Sequence, residues 1–403
     1  TLNWSTDYIR CYINGNWSGF TGNINLNKNG ANSTYEDKFI FNNSNGMPQA
    51  TLSIASGVIM CYKNGTADNG TTTIKLGMLT GAGSFYNAGL EVGSTNTNGL
   101  FSGVISGASN VKKVGTGLWI LSGLNTHTGT NTISAGTLTL NAGATLGTGA
   151  TTVASGASMN LLGSIGGSLI VSNGGTVVNS GTISGSLNSS GTFKGTGTIA
   201  GISILSNNSS TLPGNIAIGT LTFGSNLSMT ATAALEMQIT ATTCDKLAIT
   251  GAFTCNGTLN VSLLSGTPTE GATYQIFSAG SITGTFTAIN LPTLSAGLEW
   301  DVTELYTAGK IKVIKSTGLY QPDFKTGVVK NPTNGLFRIF TDCPSESLNI
   351  SVSNLQGQVI YQSDIGNTKE SFEVDLQNQP AGVYMLRLTA EDKKSNLIKL
   401  IKK

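Results

Sequence analysis

Charge is what this chain has least of. Charged residues are 10% of its 403, against about a quarter in an ordinary globular domain. Between residues 114 and 235 the only one is Lys194. A glycosidase needs a pair of carboxylates about 5–10 Å apart, and that stretch offers none. Elsewhere Asp7, Glu36, Asp37, Asp68, Glu91, Glu236 and Asp245 form no recognisable cluster. The net charge of +2, with no basic patch interleaved with aromatics, excludes nucleic acid as a partner. His127 is the only histidine, and Cys11, Cys61, Cys244, Cys255 and Cys343 lack metal-ligand spacing, so a Cys/His zinc site is excluded. The residues therefore predict no enzyme, no metal and no cofactor in this chain. No apolar run reaches the ~18 residues of a membrane helix. The chain opens at Thr1 on strand-like sequence, with neither initiator Met nor signal peptide, and reads as a fragment or a processed product.

What remains is alternation and glycine, 53 of them. From Thr132 the sequence runs TISAGTLTL, from Thr152 TVASGASMNL and from Ile170 IVSNGGTVVN. Each sets a β-branched residue three positions before Gly and then resumes alternating. Ile133, Val153 and Val171 mark a repeat near 20 residues. Short strands rich in Thr, Val, Ile and Leu at that period predict an all-β solenoid, a parallel β-helix over residues 1–315. No coil has enough apolar surface to fold alone, so coils must stack, their strands about 4.8 Å apart. A charge at an outward position would then face its own kind one rung away, whereas Thr, Ser and Asn form ladders. Neutrality is thus a demand of stacking.

More aromatics, more charge and a Pro set residues 271–315 apart as a terminal cap over the open end. A Gly-, Pro- and polar-rich linker follows at 316–327. From Tyr320 to Lys403 there are 19 charged residues, and this shift in composition marks a second domain over 328–403. There Leu348, Ile350 and Val352 alternate, as do Phe372, Val374 and Leu376, between LQGQ and PAGV turns. They predict a small antiparallel sandwich of Ig-like type.

Two resemblances rest on these residues. GTGLWILSGLNTHTGTNTISAGTLTL, through Gly115, Thr116, Gly117, Trp119, Leu121, Gly123, Asn125, Gly129, Ile133, Gly136 and Leu138, resembles the autotransporter-associated β-strand repeat. LPGNIAIGTLTF resembles the P-G-N-x-x-I-G-T-L segment of the same family. Together they imply a right-handed β-helix exported to the cell surface. The tail resembles the C-terminal sorting domain of the type IX secretion system of Bacteroidetes in three blocks. The first is carried by Asn331, Pro332, Thr333 and Gly335, the second by Leu355, Gly357, Val359 and Tyr361, the third by Leu376, Pro380, Gly382, Val383, Tyr384 and Leu388. That resemblance implies recognition by the outer-membrane export machinery, then removal, with the cargo anchored to surface lipopolysaccharide or released.

The expectation is a secreted or surface-displayed protein whose β-helix is a structural, adhesin-type stalk. Two other readings stand beside it: the export and anchoring tail of a polysaccharide-degrading enzyme with its catalytic module upstream, and a glycan-binding β-helix with an extracellular glycan or host ligand. For the last, Trp17 beside Phe20 is the candidate stacking residue. His127 has no carboxylate near it in sequence and stands where the passenger-type repeat usually has Tyr, which implies a stacking ring and not a base. Asp245 and Lys246 stand where passenger domains of that type commonly carry the same pair, which implies a structural role. Cys244 and Cys255 are close enough in sequence to pair in an oxidising compartment, or to be buried as small hydrophobes.

Overall fold

The computed structural model describes residues 2–6, 10–28, 37–43, 45–62, 72–316, 326–329, 331–341, 347–366, 371–390 and 395–403. Cys343 and most of the expected linker lie outside them. The chain forms two compact units, Thr1–Ile314 and Lys315–Lys403.

The first unit is a parallel stack. A single coil contributes Asn131–Ile133, Thr137–Leu140 and Thr145–Leu146, one strand to each of three faces. Each strand pairs with its counterpart in the next coil. On the middle face the inward register runs Trp119, Leu138, Met159, Val177, Phe193, Thr211, Leu235, Leu259, Ile289. On another it runs Leu146, Ile165, Ile183, Ile199, Phe223, Ile249. Ile133, Val153 and Val171 are direct register partners, so the period read from the sequence is the coil length there. Elsewhere coils range from 16 residues (Val177 to Phe193) to 30 (Leu259 to Ile289). The inward apolar residues form one continuous core, with Trp119, Phe193, Phe223 and Phe253 fully buried. At ~25 cal/mol per Å² of apolar surface, this stacking is the main stabilising term.

Outward positions carry the neutral skin: Thr145, Ser164, Thr182, Thr198 and Thr222 fall in one column. Asparagines stitch coil to coil. Asn96, Asn98 and Asn110 accept backbone N–H bonds at 2.8, 2.9 and 2.8 Å from Thr116, Leu118 and Thr130, each twenty residues on. The Trp119 indole reaches two coils back, donating to Leu79 O at 3.1 Å. After the last parallel strands the mode changes. Lys310–Lys315 pairs antiparallel with Thr273–Gln275, and a short helix, Leu305–Ala308, packs near Ser281–Gly284.

The second unit has its own core of Phe337, Ile339, Leu348, Ile350, Val352, Val374, Leu386 and Leu388. One sheet orders Thr326–Val328, Leu336–Thr341 and Ser371–Asp375; the other orders Val359–Gly366, Ser347–Asn354, Gly382–Ala390 and Ser395–Lys402. All these pairings are antiparallel.

Candidate functional site

The described residues contain no group of three or more His, Cys, Asp or Glu able to hold a metal. The sequence blocks of the second unit, by contrast, converge on its turns. Asn331 ties the first block to the C-terminal strand: its Nδ2 donates to Lys399 O at 2.7 Å and its Oδ1 accepts from Ile401 N at 2.8 Å. Thr333 continues that contact, donating its N–H to Ile401 O at 3.1 Å and accepting from Lys403 N at 2.9 Å. The Asn331–Pro332 bond is cis. Gly335 has φ +115° and faces Gln377, whose Cα would lie 2.7 Å from a Cβ there, so only glycine fits. The Leu376 N–H donates to Gly335 O at 2.7 Å, joining the first block to the third.

Between the second and third blocks lies a groove of about 600 Å³, walled by residues 354–360 on one side and 379–384 on the other. Asn354 shapes the first wall, its Oδ1 accepting from Gln356 N at 3.1 Å and Gln358 N at 3.0 Å in an Asx turn. Gly357 takes φ +82° in that turn. Tyr384 braces the second wall by donating its hydroxyl to Pro380 O at 2.6 Å. Leu355 and Val359 stand 68% and 55% exposed. Gly382 differs from the other two glycines. Its φ is ordinary and a Cβ would meet nothing within 4 Å, so the backbone does not require it. What its missing side chain leaves is open room in the groove.

Sequence reasoning missed Asn354 and Lys402. The Asn354 signal was present, an Asn opening the NLQGQ turn. Lys402 was not legible: its Nζ donates to the carbonyls of Gln377 and Gln379, a partnership across 23 to 25 residues.

In the first unit, Trp17 is half-buried against the core, meets Phe20 edge-on at a centroid distance of 5.6 Å and donates its indole N–H to Asn14 O at 2.8 Å. His127 is fully buried and bonded to Asn131, and burial lowers its pKa. Asp245 is buried too, accepting from Gly219 N and Gln238 N, each at 2.8 Å. Burial outweighs those bonds and raises its pKa to about 6. Cys244 and Cys255 are free thiols, not a disulfide, and burial raises both, to about 11 and about 12. Cys255 lies in the strand Ala252–Cys255 with its side chain in the core, while Cys244 precedes that strand and its thiol contacts Gln275 O at 3.5 Å. A shallow trough of about 420 Å³ along one corner is lined by Gly, Ser, Thr, Ala and Leu alone.

Residues 330–403 match the family described as the secretion system C-terminal sorting domain. A stretch of 113 residues, 28% of the chain, is 31% identical to the adhesin BmaC autotransporter of Brucella suis biovar 1 (strain 1330). The chain spans 3% of that relative's length. Among solved structures, the cell-surface-expressed multi-modular chitinase ChiW from Paenibacillus sp. str. FPU-7 aligns over 78% of this chain and 23% of its own, at 12% identity. Its TM-score is 0.17, too low to carry any argument.

Proposed function

Because residues 330–403 are a type IX secretion sorting domain, which directs a chain to the cell surface or the extracellular space, we propose that the solenoid is its cargo and works as a structural, adhesin-type stalk. The chain performs no catalysis in this reading. The observation that carries it is the pairing of an exported tail with a stack whose outward columns are hydroxyl and amide side chains, such as Thr145, Ser164, Thr182 and Thr198. Such a skin suits many weak polar contacts along a surface, and tightly stacked coils leave few local openings to proteases. The distant likeness to an autotransporter adhesin supports the same reading.

The experiment compares the full chain with a deletion of residues 328–403 in a type IX-competent host. The full chain is expected at the surface or in the medium and the deletion in the periplasm. Beads coated with residues 1–315 are then expected to adhere to a polysaccharide or cell surface. Display of the deletion, or beads that adhere to nothing, would sink the corresponding half of the proposal.

A further inference from the structure

The two sheets of the sorting unit present four edges, and three are blunted. Thr326–Val328 is three residues long. Ser371–Asp375 is five long and carries Glu373 and Asp375. Ser395–Lys402 carries Lys399 and Lys402 and is covered at its end by the Thr333–Lys402 bridge and the Asn331 side chain. Short length, charge and cover are the usual protections against adding a foreign strand. The fourth edge, Val359–Gly366, is the least protected: among the described residues its only such features are one aspartate and a register shift opposite Val352 and Ser353. It is eight residues long, contains no Lys or Pro, and among the described residues pairs only with Ser347–Asn354. Its one charge, Asp364, accepts from Asn349 Nδ2 at 2.6 Å within its own sheet.

The groove opens at the start of this edge, since Val359 and Ile360 belong to both. Its walls are aliphatic and amide side chains with one tyrosine, Tyr384, and no charged side chain. A bare edge with a neutral pocket at one end is the arrangement of strand addition: main-chain bonds supply affinity and the pocket reads one side chain. Resting on the sorting-domain reading, we propose that this unit is recognised by β-strand addition. An uncharged extended segment of an export-machinery protein pairs along Val359–Gly366 and seats an aliphatic side chain over Gly382, between Leu355 and Val383. Gly382, which its own backbone does not require, is then explained as clearance for that side chain.

Two variants of the full chain test this in a secreting host. Gln362→Lys puts a charge on the exposed side of the edge strand. Gly382→Val fills the groove at a position where a Cβ meets nothing within 4 Å. Each is expected to reduce the displayed fraction at least tenfold while the thermal midpoint of the purified chain stays put. Glu373→Lys, on the other sheet, is expected to display normally. If Gln362→Lys loses its midpoint, Gly382→Val decides. Normal display of Gly382→Val, with the deletion of 328–403 retained, overturns strand addition and leaves the sorting reading intact; a displayed deletion removes that reading instead. A purified dimer that both variants dissociate without affecting display makes a second copy the occupant, and also overturns the proposal.

Discussion

His127 donates its Nε2–H to Asn131 Oδ1 at 2.7 Å inside the solenoid, and Asn131 Nδ2 passes the chain of bonds to Thr151 Oγ1 in the next coil at 3.2 Å. None of the three is more than 2% exposed. Nearby, Asn125 accepts from Ile105 N at 2.8 Å and donates to Thr145 O at 2.8 Å. The interior of these coils therefore has a polar part, bonded through these atoms, while the His127 Nδ1 is buried without a hydrogen-bond partner.

Acid should attack that part first. Burial lowers the His127 pKa below 6.5, so the native ring resists a proton that the unfolded chain accepts. Its contribution is complete above pH 6.5 and is lost as pH falls through the lowered value. Thermal midpoints of His127→Phe should fall less than the parent's between pH 6.5 and 4.5. At pH 7.5 His127→Ala, which leaves a cavity and an unpaired Asn131, should cost about 2–4 kcal/mol. Equal acid slopes for parent and His127→Phe would contradict this.

Lys113 makes the opposite case for base. It is 1% exposed, occupies the register position between Val92 and Ile133, and donates to Val114 O, Gly115 O and Ala135 O at 2.7, 2.8 and 3.3 Å. Burial lowers its pKa to about 8. The unfolded chain keeps its proton up to 10.5, so stability rises from pH 8 to 10.5, by on the order of 2 kcal/mol. Lys113→Met should abolish that rise in chemical denaturation. A rise that survives would place the titrating group elsewhere.

Gly181 stacks directly on Gly163, and a Cβ on it would lie 1.9 Å from Gly163 O. Gly181→Ala must push two coils apart and should cost at least 2–3 kcal/mol, read as a lower midpoint. Gly143→Ala is the comparison: it has open space but φ +79°, and should lose only about 1 kcal/mol to strain. Equal losses would mean the coils give way more easily than their backbone contacts imply.

In the sorting unit, Tyr384→Phe removes the hydroxyl bond to Pro380 O and nothing else. It should cost about 1 kcal/mol of that unit's stability. Gly335→Ala, with its positive φ and a clash against Gln377, should cost more. Limited proteolysis of the full chain, following cleavage between residues 328 and 403, ranks the two. The reverse order would show that Tyr384, not the Gly335 turn, holds the blocks together.

Alternation and the 20- and 18-residue spacings of Ile133, Val153 and Val171 made the parallel stack legible, because the register repeats them directly. Alternation does not say which polar residues face inward. Asn131 and Thr151 sit on the same inner column as Leu169 and Leu187, so the polar interior was invisible until coils were stacked. Lys113 escaped for the same reason. In the second unit the turn blocks were legible locally through Gly335 and Gly357, while Asn354, which opens the second turn, was overlooked. The Lys402 contact and the contrast between sheet edges depend on strand order, which residue spacing does not encode.

The central claim, that a neutral skin is a condition of stacking, can be measured with two variants of equal charge. One places glutamates in a single column, at Ser158, Thr176, Thr192 and Ser210, which are successive register partners. The other scatters them over Thr132, Asn160, Thr182 and Ser228. Neighbouring carboxylates about 4.8 Å apart repel by nearly 1 kcal/mol per pair even at the dielectric of water. Thermal unfolding in low salt should find the column variant roughly 2–3 kcal/mol less stable than the scattered one, with most of the gap closing in 1 M salt. Equal midpoints in low salt would contradict the claim.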